Sequence, residues 1–371
     1  MDFSNLPVYR DIQTSLTDNA KSGRVPHAQF FLGQDGSGNL PLAIAYANEL
    51  LTGEADMFGG KDDRASRLEH PDIHVVFPMV QSMDKTSESL IPRFREAYKN
   101  DPFMTFETWM DLVNDSGKSA LISKHESENI IKKLSLKAYE GGKKVMVIWM
   151  PEMMNIACAN KLLKLIEEPP PGSVLLLVGA DFDAMLPTIR SRVQLVKLKP
   201  VKDSELVSFL ESRVTGLDHE VAQTAVRRAE GNLSQALSIA RGDSKDNSLE
   251  VQIQDWMRLC YKRSVIEFMK WIDSVAKEGK EYQKQLLSTA LEIFRMAFRK
   301  NYVTMPVRSD DMLEVFTQKF SPFVNQANAT ELLEFFDKAY QDIDRNGNAR
   351  IIFTDLSFKV TKALRNPVSE N

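Results

Sequence analysis

Cysteine is scarce in this chain: Cys158 and Cys260 are the only two among 371 residues. Two thiols cannot build a disulfide framework or a Cys-rich zinc site. Long hydrophobic runs are missing as well. No stretch of about 18 apolar residues occurs, which excludes a membrane-spanning helix, and no membrane partner is expected. The first residues, MDFSNLPVYRDIQTSL, lack a basic start followed by an apolar core. A secretory signal is therefore not expected, and a cytoplasmic location is the default. Charge of one sign is not in excess either. Lys plus Arg total 47 against 51 for Asp plus Glu, a formal net charge of −4. That balance excludes a protein that coats nucleic acid over its whole surface, so any DNA contact must be local.

What is present is a globular composition, 43% hydrophobic and 26% charged, long enough for two or three domains. In the first half, short apolar runs alternate with helical patterns. The runs are Gln29–Leu32, Ile73–Met79, Lys144–Met150, Val174–Val178 and Val193–Leu198. They are continuous rather than alternating, as strands covered on both faces are. Helices are predicted over Pro41–Leu51, Glu126–Tyr139 and Ile156–Glu168, the last capped by Asn155 and stopped by Pro169–Pro171. Strands alternating with helices predict an α/β domain with a parallel sheet. The polar stretch Val80–Ala120 exceeds ordinary loop lengths and reads as an insertion.

Beyond Lys199 the pattern is helical to the end. Asp203–Arg213, His219–Ala229 and Leu233–Ala240 read as three short helices, and Arg241–Ser248 as a linker. After it, apolar residues recur at helical spacing: Ile253, Trp256, Met257 and Cys260; Val265, Phe268, Met269, Ile272 and Ala276; Leu287, Ala290, Leu291, Phe294 and Phe298. Leu332–Tyr340 and Ile351–Leu364 add two helices. Such aromatic and Met stripes are core, not a cofactor box.

The first strand is followed by Gly33, Gly36, Gly38, Asn39 and Leu40, the outline of a phosphate-binding loop, G-x-x-x-x-G-K-[ST]. Asn39 stands where a lysine should reach the phosphates, and Leu40 where a hydroxyl should hold Mg²⁺. The loop keeps its shape without the groups that neutralise charge in phosphoryl transfer. Strand Lys144–Met150 should end in an acidic metal-binding pair and ends in Trp149 and Met150, neither of which can coordinate Mg²⁺. Asp342–Gly347 opens like a calcium loop, but its twelfth position is Phe353, so a helix–helix turn is expected there. Arg295, Arg299 and Lys300 cluster on one predicted helix face and Lys132, Lys133 and Lys137 on another; solvated faces are expected of both.

Several blocks, in order, resemble the clamp-loader branch of the AAA+ superfamily, and within it the delta-prime family of bacterial DNA polymerase III subunits. They are Val25–Ala28, Gly33–Gly38, His70–His74, Leu134–Gly142, Ala159–Pro170 and Leu186–Val193; Asn346–Arg350 adds a further match. The resemblance implies a RecA-like AAA+ domain over residues 1–199, with the insertion at about 80–120, then a small three-helix lid over 200–243 and a C-terminal helical collar domain over 249–371. It implies a hetero-oligomer with gamma/tau and delta subunits that loads the sliding clamp on primed DNA, within a polymerase holoenzyme that transfers nucleotidyl groups. Ser191-Arg192-Val193 matches the family's Ser-Arg-Cys motif. Arg192, with Ser191, is then the arginine finger donated in trans to a neighbour's ATP. Where ATPase members carry sensor groups, this sequence has Gly179 or Ala180 and Ser234. The family's four-Cys zinc module would fall in Leu51–Ser66, which has no cysteine, and His70 and His74 are too few to replace it. The resemblance thus implies a non-catalytic subunit acting as a stator, with no ATP cofactor and no zinc or other metal. The alternatives are an active NTPase of the gamma/tau type and a pure scaffold.

Overall fold

The short apolar runs become strands in the computed structural model, which describes residues 3, 6–52, 64, 67–80, 86–113, 120–140, 142–242, 245–302 and 312–364. The chain forms two compact units, Met1–Gly242 and Asp243–Asn371. The first begins with α1 (Arg10–Lys21), β1 (Ala28–Leu32), α2 (Asn39–Thr52), β2 (Ile73–Val76) and β3 (Met79–Val80). It continues through α3 (Ile91–Asn100), α4 (Phe106–Val113), β4 (Ala120–Leu121), α5 (Lys124–Ser135), β5 (Lys144–Trp149) and α6 (Ile156–Glu167). It ends with β6 (Ser173–Gly179), α7 (Pro187–Arg190), β7 (Gln194–Lys197), α8 (Asp203–Arg213), α9 (His219–Ala229) and α10 (Leu233–Arg241).

Five strands make one parallel sheet in the order β2-β5-β6-β1-β7. Successive side chains of a strand point to opposite faces, and the two cores record it. Phe31, Val145, Val147, Trp149, Val174, Leu176 and Val178 join one apolar cluster. Phe30, Met146, Ile148, Leu175 and Leu177 join the other, under α5 and α6. Because both faces are covered, β5 and β6 are buried throughout, which is why they read as unbroken apolar runs. The first cluster also takes in α2, Phe94, Tyr98 and Trp109 of the insertion, and Leu206, Phe209 and Leu233 of the three short helices. The insertion is therefore part of the core: Phe77 stacks on Phe94 at 4.5 Å, and Trp109 meets both edge-on at 5.0 and 5.2 Å.

Several details depart from the sequence reading. Ile73–Met79 is not one strand, because β3 leaves after Pro78 to pair antiparallel with β4. β7 is an edge strand rather than a covered one, and its Leu195 is 43% exposed. α5 stops at Ser135, so Lys137 lies beyond the helix that carries Lys132 and Lys133. There the Lys144 ammonium donates to the carbonyls of Lys133 (3.0 Å) and Leu136, holding a cation at the helix end. The N–H groups of Tyr139 and Glu140 donate to the Asp72 carboxylate at 2.7 and 3.0 Å instead of continuing the helix. Helix α1 has no counterpart in the sequence reading.

The second unit is all helical: α11 (Lys245–Lys262), α12 (Val265–Val275), α13 (Lys280–Lys300), α14 (Met312–Phe320), α15 (Ala329–Asp344) and α16 (Ala349–Ala363). Its first helix starts inside the predicted linker. Trp256, stacked on Trp271 at 4.7 Å, lies in the core and donates from Nε1 to Ser357 Oγ at 2.8 Å. The predicted stripe on α12 shifts: Phe268, Ile272 and Val275 are buried, whereas Val265 is 48% exposed. Asp342–Gly347 is a helix–helix turn, with the Gly347 N–H on the Asp342 carbonyl (2.8 Å) and Asn348 capping α16 through the Ile351 N–H (3.2 Å). Among the described residues, no helix is long and apolar enough to cross a membrane.

Candidate functional site

In an open α/β sheet, ligands bind outside the carboxyl ends of the strands. The phosphate loop occupies that place here, between the end of β1 and the start of α2. Gly36 and Gly38 adopt φ of 77° and 92°, the left-handed backbone such a loop requires. The side chain in the lysine position does not face outward. Asn39 is buried, and its amide donates to the carbonyls of Gly33 (3.1 Å) and Gly179 (3.4 Å), while its Oδ1 accepts the Leu40 N–H at 2.9 Å. Leu40 is buried in the core beneath α2.

The outer side of the loop is covered by protein. A Cβ on Gly36 would stand 2.7 Å from Ser234 Cβ, 2.9 Å from Asn232 Oδ1 and 3.1 Å from Thr105 Cγ2. One on Gly38 would stand 2.6 Å from Leu233 Cδ1. Asn232 donates from Nδ2 to the Asp35 carbonyl at 2.7 Å, and the Ser234 N–H donates to the Gly36 carbonyl at 2.9 Å. From the insertion, the Phe106 N–H donates to Asp35 Oδ2 at 2.7 Å. Burial pushes the Asp35 carboxyl up to about 6, against these backbone donors. Tyr9, at φ 60°, donates from its hydroxyl to the Ser37 carbonyl at 2.8 Å.

At the end of β5, Trp149 is wholly buried against Phe94 (5.8 Å) and Phe106 (5.9 Å). The nearest acid, Glu152, is turned onto the backbone after β6, where its Oε1 accepts from the N–H groups of Ala180 (2.7 Å) and Asp181 (3.1 Å). Burial raises its carboxyl above the ordinary range. A Cβ on residue 179 would meet Glu152 Oε2 at 2.2 Å, so the glycine at the sensor position and the carboxylate beside it belong together.

Arg192 lies elsewhere. Gln194 pairs with Gln29 and Lys197 with Leu32, in parallel. Arg192 therefore precedes the amino end of the sheet, whereas Gly33 follows its carboxyl end. At ~3.3 Å per residue the start of β7, level with Gln29, is already roughly 13 Å from Gly33 along the strand direction, and Arg192 lies two residues before it. The guanidinium donates from Nη1 to the Thr188 carbonyl (2.9 Å) and Ser191 Oγ (3.0 Å), and Nη2 pairs with Glu167 Oε1 at 2.8 Å. Val193 packs against the apolar cluster under α6.

The other quoted blocks turn out to be joints. His27 Nε2 bonds the Ile166 carbonyl at 2.8 Å, fastening the start of β1 to α6. The Asp72 N–H donates to His70 Nδ1 at 3.1 Å, which leaves Nε2 to donate to Glu140 at 3.1 Å. Lys133 pairs with Glu88 at 3.3 Å. Residues 53–63, where the zinc module would fall, lie outside the described residues. Sequence reasoning missed Tyr9, Phe106, Asn232 and Glu167. Glu167 stands inside the Ala159–Pro170 block but carries no signal of its own; Tyr9, Phe106 and Asn232 are recognisable only by what they touch.

A family model described as "DNA polymerase III, delta subunit" matches residues 9–202, more than half of the chain. The DNA polymerase III subunit delta' of Escherichia coli (strain K12) is 30% identical over 140 residues, which are 38% of this chain and 41% of that one. The subunit delta' of Bacillus subtilis (strain 168) is 24% identical over 239 residues, 62% and 58% of the two chains. The chain thus spans less than two thirds of the length of these relatives. A solved DNA polymerase III gamma subunit-related protein from Thermotoga maritima is 14% identical, covering 94% of this chain and 99% of its own with a TM-score of 0.49. On the strength of the match over residues 9–202, the chain belongs to the DNA polymerase III delta-subunit family, and its curated relatives are of the delta-prime type.

Proposed function

We propose that the chain is a catalytically silent delta-prime-type subunit of a replicative clamp loader. In this reading residues 1–199 form the AAA+ domain, 200–243 its lid, and 249–371 the collar that joins gamma/tau and delta subunits. The complex, rather than this chain, holds ATP, and Arg192 is offered to a neighbour's nucleotide while the sliding clamp is placed on primed DNA. The observation that carries the reading is the state of the phosphate loop. Asn39 is spent on the loop's own carbonyls, and Asn232–Ser234 rest on the surface that phosphates would need. A loop closed over by its own protein serves as a joint between core and lid, as a stator requires. The position of Arg192 supports the second half. Its position before the amino end of the sheet, away from its own phosphate loop, supports service to another subunit's nucleotide, for which a planar, permanently charged fork is suited.

Equilibrium titration of the isolated chain with Mg-ATP tests the first half; no saturable binding is expected in the micromolar range, and micromolar Mg²⁺-dependent affinity overturns it in favour of an NTPase. Arg192→Ala in the reconstituted complex tests the second half. Clamp-stimulated ATPase turnover should fall by about 10³-fold at the site it serves, the scale of a lost arginine finger. Unchanged turnover leaves a scaffold.

A further inference from the structure

We propose that Glu167 is a positioning residue for Arg192, holding it retracted on its own subunit until a phosphate group on a neighbouring subunit draws it away. This rests on the reading of Arg192 as a trans finger. Among the described residues the guanidinium engages three groups: the Thr188 carbonyl, the Ser191 hydroxyl and the Glu167 carboxylate. To reach another molecule the side chain must uncurl and give them up. Of the three, only Glu167 is charged, and a carboxylate presents to the guanidinium fork the same kind of anionic oxygen that a phosphate does. The two compete for one cation.

The placement of Glu167 favours this role over simple support of α6. It is the last residue of that helix, where the exposed carbonyls make an acidic side chain unfavourable. Arg192 offsets that charge, and Pro169–Pro171 stop the helix at this point and so fix where the carboxylate stands. Arg190, the other arginine nearby, is engaged with Asp183 and lies over the Phe182 ring at 5.9 Å, so it does not substitute. The pair is also weak enough to open. Arg192 and Glu167 are 39% and 46% exposed, and pairs this exposed shift an equilibrium by about fivefold at most. A polyphosphate, carrying more charge, displaces such a carboxylate.

The test is steady-state ATPase of the reconstituted complex with Glu167→Gln, Glu167→Asp, Arg192→Ala and the Glu167→Gln/Arg192→Ala pair. Releasing the arginine favours ground and transition states alike, so Glu167→Gln should lower the KM for ATP about two- to fivefold with kcat unchanged. Glu167→Asp should retain the wild-type KM, and Arg192→Ala should abolish the Glu167→Gln effect. Wild-type KM for Glu167→Gln beside a damaging Arg192→Ala overturns the latch and leaves the finger standing. So does an effect of Glu167→Gln that persists without Arg192, or a loss of kcat on Glu167→Gln alone. Unchanged turnover in Arg192→Ala removes both.

Discussion

Asn232 donates its side-chain amide to the main-chain carbonyl of Asp35 at 2.7 Å, joining residues 197 positions apart. The contact closes the phosphate loop from the side of the three short helices. On the other side Asp35 takes the Phe106 N–H, so one residue of the loop holds both the three short helices and the segment around α4. That double attachment gives the loop its role as a joint.

Restoring the missing groups should not restore ATP binding. Asn39→Lys with Leu40→Thr supplies the cation and the hydroxyl but leaves Asn232–Ser234 on the loop. It also removes the bonds from Asn39 to Gly33 and Gly179 and a buried leucine. Isothermal titration with Mg-ATP should stay flat, and the first unit should lose about 2 kcal/mol or more in urea.

Gly36→Ala should destabilise although it removes no polar group. The left-handed φ penalises a Cβ, and the new atom meets Ser234 and Asn232 inside 3 Å. The expected loss is roughly 2–3 kcal/mol by denaturant unfolding. Wild-type stability would show that the three short helices stand away from the loop.

Asp35 makes stability depend on pH in an unusual direction for a carboxylate. Burial raises it from 3.8 to about 6, so the folded state binds the proton more tightly than the unfolded one. Its contribution is full below about pH 4 and is lost as pH rises through 6, on the order of 2–3 kcal/mol in all. Asp35→Asn keeps an acceptor for Phe106 and should flatten the stability curve of the first unit between pH 4 and 6.5. The same slope in variant and wild type assigns the proton elsewhere.

Trp109 separates packing from hydrogen bonding in the insertion. Its Nε1 is buried with no hydrogen-bond partner among the described residues, so Trp109→Phe removes only volume and should cost about 1–2 kcal/mol. Trp109→Ala empties the space between Phe77 and Phe94 and should cost about 3–5 kcal/mol. A near-neutral alanine variant would mean that the insertion is not part of the core.

Cys158 and Cys260 are buried, and burial pushes both thiols up to about 12. Neither should react with a thiol reagent in native protein near pH 8, and both should react on unfolding. One lies in each unit, so their labelling rates report separately on the opening of each.

Much of the architecture was legible in the sequence. The five apolar runs, the helical second half and the stop at Pro169–Pro171 follow from backbone rules that act within a few residues. Errors fell where a distant partner overrode the local pattern. Glu126–Tyr139 reads as a helix, but Asp72 takes two of its N–H groups. Val193–Leu198 reads like its neighbours, and only the strand order makes it an edge.

The sequence by itself determined that the phosphate loop lacks its lysine and hydroxyl, and that two cysteines can make neither zinc module nor disulfide framework, because residue identity alone decides whether a group can carry charge or bind metal. Tertiary structure decided what became of the loop. Thr105, Phe106 and Asn232–Ser234 come to Asp35–Gly38 from positions about 70 and 200 residues away. No spacing rule connects them, because their meeting depends on how α3, α4 and the three short helices pack into one apolar core. The same holds for Glu167 and Arg192, which neighbouring element ends bring together at the amino side of the sheet.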